Sequence, residues 1–160
     1  MTSVDRRAEL EQLLSERILV LDGAMGTMVQ SSSPTEADFR GERLADHPSD
    51  LKGNNEALVL SKPSLVAKIH DAFFEAGADI IETNSFGANA IAQADYGMEA
   101  FVYELNLRAA EIAAASAARW TERTPERPRF VAGRKLRQHF ILNFAGTLGP
   151  ATLAGDSSDS

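Results

Sequence analysis

No cysteine occurs among the 160 residues, which excludes disulfides and thiolate metal centres within them. Long apolar runs are missing too. Nothing approaches the ~18 consecutive apolar residues that a membrane span needs, and Met1 to Glu16 is charged where a secretory signal would be apolar. Basic residues are in the minority, 16 against 23 acidic, for a net charge of −7. They do not cluster in a way that favours nucleic acid or an anionic membrane. No GxGxxG or Walker A motif follows an apolar run, so a nucleotide-binding sheet loses support. What remains is 44% hydrophobic, an ordinary globular composition. The expectation is a soluble, cytoplasmic chain with one core and neither nucleic-acid nor membrane partners.

Hydrophobic spacing divides the chain into alternating elements. Arg6 to Glu16 carries Leu10, Leu13 and Leu14 at helical spacing. Ile18-Leu19-Val20-Leu21 is a continuous apolar run ending at Asp22-Gly23, which suits a strand buried on both faces. Gly23 to about Leu51 is rich in Gly, Ser, Pro, Thr and Asp and reads as a long loop with a turn or two of helix. Within it Glu36 to Asp50 holds seven charged residues and reads as solvated. Pro63 suits a first helical turn. Leu65, Ile69, Ala72, Phe73 and Ala76 then form an apolar face, and Gly77 supplies the stop. Ala78 to Thr83 (ADIIET) is the second strand. A long helix from about Met98 to Arg119 follows, with Phe101, Leu105, Ala109, Ile112 and Ser116 on one face. Phe130-Val131-Ala132 begins a third strand.

Strands alternating with helices imply βαβ units and a parallel sheet, either doubly wound or a (β/α)8 barrel. The barrel is the better fit without a nucleotide motif, although a complete one takes about 250 residues. The predicted fold class is α/β, the first three βα units of an incomplete TIM-type barrel. Three strands of a barrel would leave an unpaired, apolar edge.

Function in such sheets gathers beyond the C-terminal ends of the strands. There the sequence places Asp22 to Thr27 and Glu82 to Gly87. Asp22 and Glu82 would end neighbouring strands roughly 5 Å apart. Like charges that close need a proton, a cation or hydrogen bonds to offset them, and a substrate ammonium group would serve. Gly23 and Gly26 let backbone N–H groups approach a ligand, while Thr27, Thr83 and Asn84 add neutral donors suited to a carboxylate. The candidate substrate-binding residues are therefore Asp22, Gly23, Thr27, Glu82, Thr83 and Asn84, with no catalytic or metal-binding residue assigned. A strand-terminal Asp or Glu is equally a helix cap or loop anchor. His70, on a helix, reads as a surface or packing residue. His47 has no second ligand at metal spacing, Met25 and Met28 read as space-filling, and Trp120 as a partly buried anchor.

At these same loops the sequence resembles the N-terminal, homocysteine-binding region of the cobalamin-dependent methionine synthases. The likeness is carried by Arg17 to Thr27 (RILVLDGAMGT), Phe39 to Arg43 (FRGER), Asp46-His47-Pro48 and Leu51 to Asn55 (LKGNN). It continues through Ala76 to Phe86 (AGADIIETNSF), Gln93 to Glu99 (QADYGME) and Arg127 to Gly133 (RPRFVAG). The wider homocysteine S-methyltransferase family shares the DGAMGT-like segment at Asp22 to Thr27 and the ETNSF-like segment at Glu82 to Phe86, while Asp38 to Arg43 (DFRGER) and Asp46 to Asn55 (DHPSDLKGNN) point to the cobalamin-dependent branch. The resemblance implies a (β/α)8 barrel in which zinc activates the homocysteine thiol for attack on a methyl group. It also implies cobalamin as methyl carrier and separate folate and cobalamin domains as partners in a full-length member.

The chain departs from the pattern in two places. The family's zinc cysteines come late in the barrel, and none is present here. After Gly133 the family continues into a Leu-Gly-Pro loop, whereas Arg134 to Gly146 intervenes before Thr147-Leu148-Gly149-Pro150. The expected organisation is thus residues 1–133 as barrel, 134–146 as an insertion and 147–160 as a divergent tail. An extra strand at Phe140-Ile141-Leu142 is the alternative for the inserted stretch. The expected function is the homocysteine-binding portion of a methionine synthase, binding no cofactor and not catalytic by itself. The alternative is a non-catalytic module that binds an amino acid or a partner chain. An aldolase lacks support, because no lysine stands at a strand end to form a Schiff base.

Overall fold

A computed structural model describes residues 6–134 and 140–143. Its helices are α1 (Arg6–Glu16), α2 (Met25–Ser31), α3 (Glu36–Arg40), α4 (Leu58–Ser61), α5 (Pro63–Glu75), α6 (Ala90–Ala94) and α7 (Val102–Arg123). The strands are β1 (Ile80–Glu82), β2 (Phe130–Arg134) and β3 (Phe140–Asn143). Short 3-10 turns at Asn55–Ala57 and Glu99–Phe101 lead into α4 and α7.

The long helices form where the spacing puts them. α5 starts on Pro63 and stops at Gly77, whose φ of +107° suits a residue without a β-carbon. Its deepest face is Val66, Ile69, His70 and Phe74, one position round from the expected stripe. Leu65 and Phe73 are only partly buried and Ala76 is exposed. The shift follows from α7, which packs against α5 with Leu105, Ala109, Ala113, Ser116 and Ala117. Those small side chains allow close approach and favour the α5 face nearest them. On α1 only Leu10 is buried, and Leu14 is 55% exposed.

Residues 23–51 are more ordered than a solvated loop. Thr35 and Asp38 form a reciprocal capping box at the start of α3. Phe39 and Leu44 are buried in the main core with Val29, Leu51, Leu58, Val66, Met98 and Leu105. The Glu36 carboxylate accepts from the Leu51 and Lys52 N–H groups at 2.9 and 2.6 Å. Gly41, at φ +52°, could not carry a side chain, since its β-carbon would lie 2.8 Å from the Ser61 carbonyl oxygen. Glu36, Asp38 and Arg40 are spent on structure, whereas Glu42, Arg43, Asp46 and Asp50 are exposed, so the reading of Glu36 to Asp50 as solvated is corrected for its first part only.

The chain is α/β, rich in helix, around a small sheet. β1 and β2 are parallel, with Ile80 opposite Phe130 and Glu82 opposite Ala132. Leu21 bridges Ile80, also in parallel. On the far side β3 runs antiparallel to β2, Val131 facing Asn143 and Arg134 facing Phe140. The stretch 134–146 thus includes a strand at Phe140–Asn143, while 135–139, 144–146 and the tail 147–160 lie outside the described residues. Ile18 to Leu21 is not buried on both faces as expected. Ile18 is 90% exposed, Val20 52% and Leu21 49%. This segment is the outer edge of the sheet, bonded to β1 through Val20 and Asp22, and among the described residues nothing covers its other side.

Candidate functional site

The two loops beyond the parallel strand ends are brought together by backbone geometry. The Asp22 N–H donates to the Ile80 carbonyl at 2.9 Å, and the Asp22 Oδ1 accepts the Glu82 N–H at 2.9 Å. Asp22 and Glu82 thus stand side by side at the ends of adjacent strands. Burial pushes the Asp22 carboxyl up to about 7; the Glu82 N–H opposes that rise and the nearby Glu82 charge adds to it. A proton or an approaching cation resolves the same conflict.

The first loop is open. Gly23 is exposed, and a β-carbon there would meet nothing within 4 Å. Thr27 is exposed on α2, and its hydroxyl has no hydrogen bond among the described residues. Met25 and Met28 pack against the core.

The second loop is fastened. The Thr83 and Ser85 hydroxyls are 2.7 Å apart. Asn84 is buried, its Nδ2 donating to the Asn55 carbonyl at 2.8 Å. The Gly87 N–H donates to Glu56 Oε1 at 2.8 Å, while the Gly87 carbonyl accepts from Gln93 Nε2 at 3.0 Å. Gln93 in turn exchanges hydrogen bonds with Asn54, both side chains buried, at 2.8 and 3.3 Å. Asn54, Asn55, Glu56 and Gln93 are contributors that the strand-end rule does not reach, because they lie on other elements. The sequence signals for them are the polar run Asn54-Asn55-Glu56 ahead of an apolar helix and the place of Asn54, Asn55 and Gln93 within the segments that carry the resemblance.

The zinc implied by the resemblance finds no ligand set. Among the described residues no three His, Asp or Glu side chains come together as a metal would require, and the chain has no cysteine. His47 is occupied elsewhere, its Nε2 lying 2.7 Å from the Tyr96 carbonyl. Trp120 is a partly buried anchor whose Nε1 donates to Asp71 at 3.1 Å. No described helix is long and apolar enough to cross a membrane.

The model of the homocysteine S-methyltransferase family matches residues 19–159. Among solved structures, the metallated form of the homocysteine methyltransferase MmuM from Escherichia coli superposes with a TM-score of 0.60 at 24% identity. The oxidized form of the same protein gives a TM-score of 0.60 at 25% identity. Each comparison covers 78% of this chain, which spans only 40% and 39% of the two matched chains.

Proposed function

The chain belongs to the homocysteine S-methyltransferase family, and from that premise we propose that it supplies the head-group side of a homocysteine site. In this reading Asp22 and Glu82 face the substrate ammonium. The open backbone at Gly23 and the Thr27 hydroxyl face its carboxylate. Thr83 and Asn84 hold the second loop in place. The observation that carries the reading is the Asp22 carboxyl, whose place against Glu82 favours a bound cation. The reaction served is methyl transfer to the homocysteine thiolate, giving methionine, in the cobalamin-dependent branch. The thiol-activating zinc and the methyl carrier would be held by cysteines and domains not represented in these residues, so this segment is not catalytic by itself.

The sheet supports the matching architectural proposal, the first three βα units of a (β/α)8 barrel. Leu21, β1 and β2 follow one another in parallel order, and the exposed Ile18, Val20 and Leu21 mark the edge that a further strand would cover. Residues 1–133 would be barrel, 134–146 an insertion and 147–160 a divergent tail. The second reading, a non-catalytic amino-acid-binding module, needs the same head-group contacts and differs only in requiring no other segment.

Titration calorimetry with L-homocysteine tests the proposal. Binding to the chain is expected to strengthen between pH 6 and pH 8, as Asp22 ionises and can hold an ammonium group. Asp22→Asn should weaken it by about tenfold or more while raising stability. The sign follows from the raised pKa: the folded chain binds the Asp22 proton more tightly than the unfolded one. Stability therefore falls as pH rises from about 4 to about 7, and the substitution removes that loss. After allowance for partial exposure the gain above pH 7 is on the order of 1–2 kcal/mol. Equal homocysteine affinity in the chain and in Asp22→Asn would defeat the proposal.

A further inference from the structure

Three successive residues, Asn54, Asn55 and Glu56, reach three different parts of the two strand-end loops. Asn54 pairs with Gln93, which holds the Gly87 carbonyl. Glu56 takes the Gly87 N–H. Asn55 touches both loops: its carbonyl accepts from Asn84 of the second, and its Nδ2 lies 3.6 Å from where a Gly26 β-carbon would sit in the first. A segment remote in sequence thus forms a floor between the loops. Two of its side chains are committed to holding that floor in place. The Asn55 side-chain amide is not; it is partly buried and makes no hydrogen bond among the described residues.

We propose that Asn55 is a further substrate-binding residue, its side-chain Nδ2 donating to the carboxylate of the amino acid whose ammonium group meets Asp22. The assignment rests on the head-group reading given above. Charge sets the orientation. A carboxylate is repelled by Asp22 and Glu82 and must lie toward neutral donors, and the Asn55 amide beside the bare Gly26 is such a donor. Chemistry also explains why an amide is suited to this place. A lysine or arginine there would pair with the two acids and fill the site itself, whereas a neutral amide leaves them for the ligand. Gly26 has a matching role. A methyl group at 3.6 Å is in ordinary van der Waals contact with Nδ2, so the backbone tolerates it while the N–H becomes covered.

The test compares two ligands that differ only in the carboxylate, L-homocysteine and 3-aminopropane-1-thiol, by calorimetry on the whole chain. Asn55→Ala should weaken homocysteine about tenfold, the usual loss for a hydrogen bond to a charged group, and leave the amine thiol unchanged. Asn55→Asp should weaken homocysteine further, and Asn55→Gln should restore part of the loss. Gly26→Ala, which leaves Asn55 in place, should reproduce the selective weakening. An equal loss for both ligands would make Asn55 a structural residue only and overturn the assignment. If Asp22→Asn weakens both ligands and Asn55→Ala weakens neither, the head-group reading stands and Asn55 falls. If the unaltered chain binds neither compound, that reading falls and the assignment goes with it.

Discussion

Asp79→Ala should destabilise the fold by about 3 kcal/mol, the largest effect expected of any single substitution here. The Asp79 side chain is fully buried and accepts four hydrogen bonds. Arg17 grips it with both terminal nitrogens at 2.9 Å, the Val20 N–H reaches Oδ2 at 2.9 Å, and Arg127 Nε reaches Oδ1 at 3.1 Å. Arg127 also donates to the Gly77 carbonyl at 2.5 Å. One carboxylate thus ties the end of α1, the first strand, the start of β1 and the approach to β2. Alanine would strand the Val20 N–H and leave two guanidinium groups facing each other. Their side chains are 36% and 40% exposed, so they can rehydrate, which keeps the loss below that of a fully buried pair. Burial alone would raise the Asp79 pKa, but Arg17, the Val20 N–H and Arg127 together hold it down at about 2. Its contribution is therefore present above about pH 4 and lost as pH falls toward 2. Urea unfolding followed through Trp120 at pH 7 and pH 3 measures both. A midpoint for Asp79→Ala within about 1 kcal/mol of the parent at pH 7 would show that the network is ornamental.

Asp79 also marks where sequence reading reached its limit. Its neighbours Ile80 and Ile81 announce a strand by themselves, and α5 and α7 announce themselves through the spacing of Ile69, Leu105 and Ala109. A single aspartate at a strand start carries no such local signature. Its meaning comes from Arg17 and Arg127, 62 and 48 residues away. The candidate site divides in the same way. Asp22 and Glu82 were found because strand ends are predictable positions and apolar runs mark strand ends. Asn54, Asn55 and Glu56 act on the same loops from a turn ahead of α4, and no periodicity reports a contact of that kind. α2 was hidden because Gly26, Thr27 and Ser31 are weak helix formers; its burial of Val29 against the core is a tertiary gain. Ile18 to Leu21 was misjudged for the opposite reason. Its composition is that of a strand covered on both sides, and the described residues supply only one neighbour.

His70→Leu should turn a nearly flat pH dependence of stability into one that rises as pH falls from about 6.5 to about 4. His70 is fully buried on the α5 face beside Ile69 and Phe74, and among the described residues neither ring nitrogen has a hydrogen-bond partner. Burial lowers its pKa to about 4, against a small opposing pull from the Asp71 charge. The unfolded chain takes up the His70 proton near pH 6.5, whereas the folded chain resists it until about pH 4. Stability associated with this group is thus complete above pH 6.5 and lost as pH falls through that window, by about 3 kcal/mol at the acid end. Leucine fills a similar volume, cannot be charged and leaves no orphaned polar atoms, so it should also be neutral or stabilising at pH 7.5. The Asp22 effect runs the opposite way over nearly the same range. Unaltered protein should therefore show a muted pH dependence, Asp22→Asn a steeper loss toward acid, and His70→Leu a stability that rises as pH falls to about 4. Urea midpoints for the three proteins at pH 4.5 and pH 7.5 decide the matter. If His70→Leu gained no stability over its parent between pH 7.5 and pH 4.5, the burial of an uncharged His70 would not be what offsets the Asp22 effect.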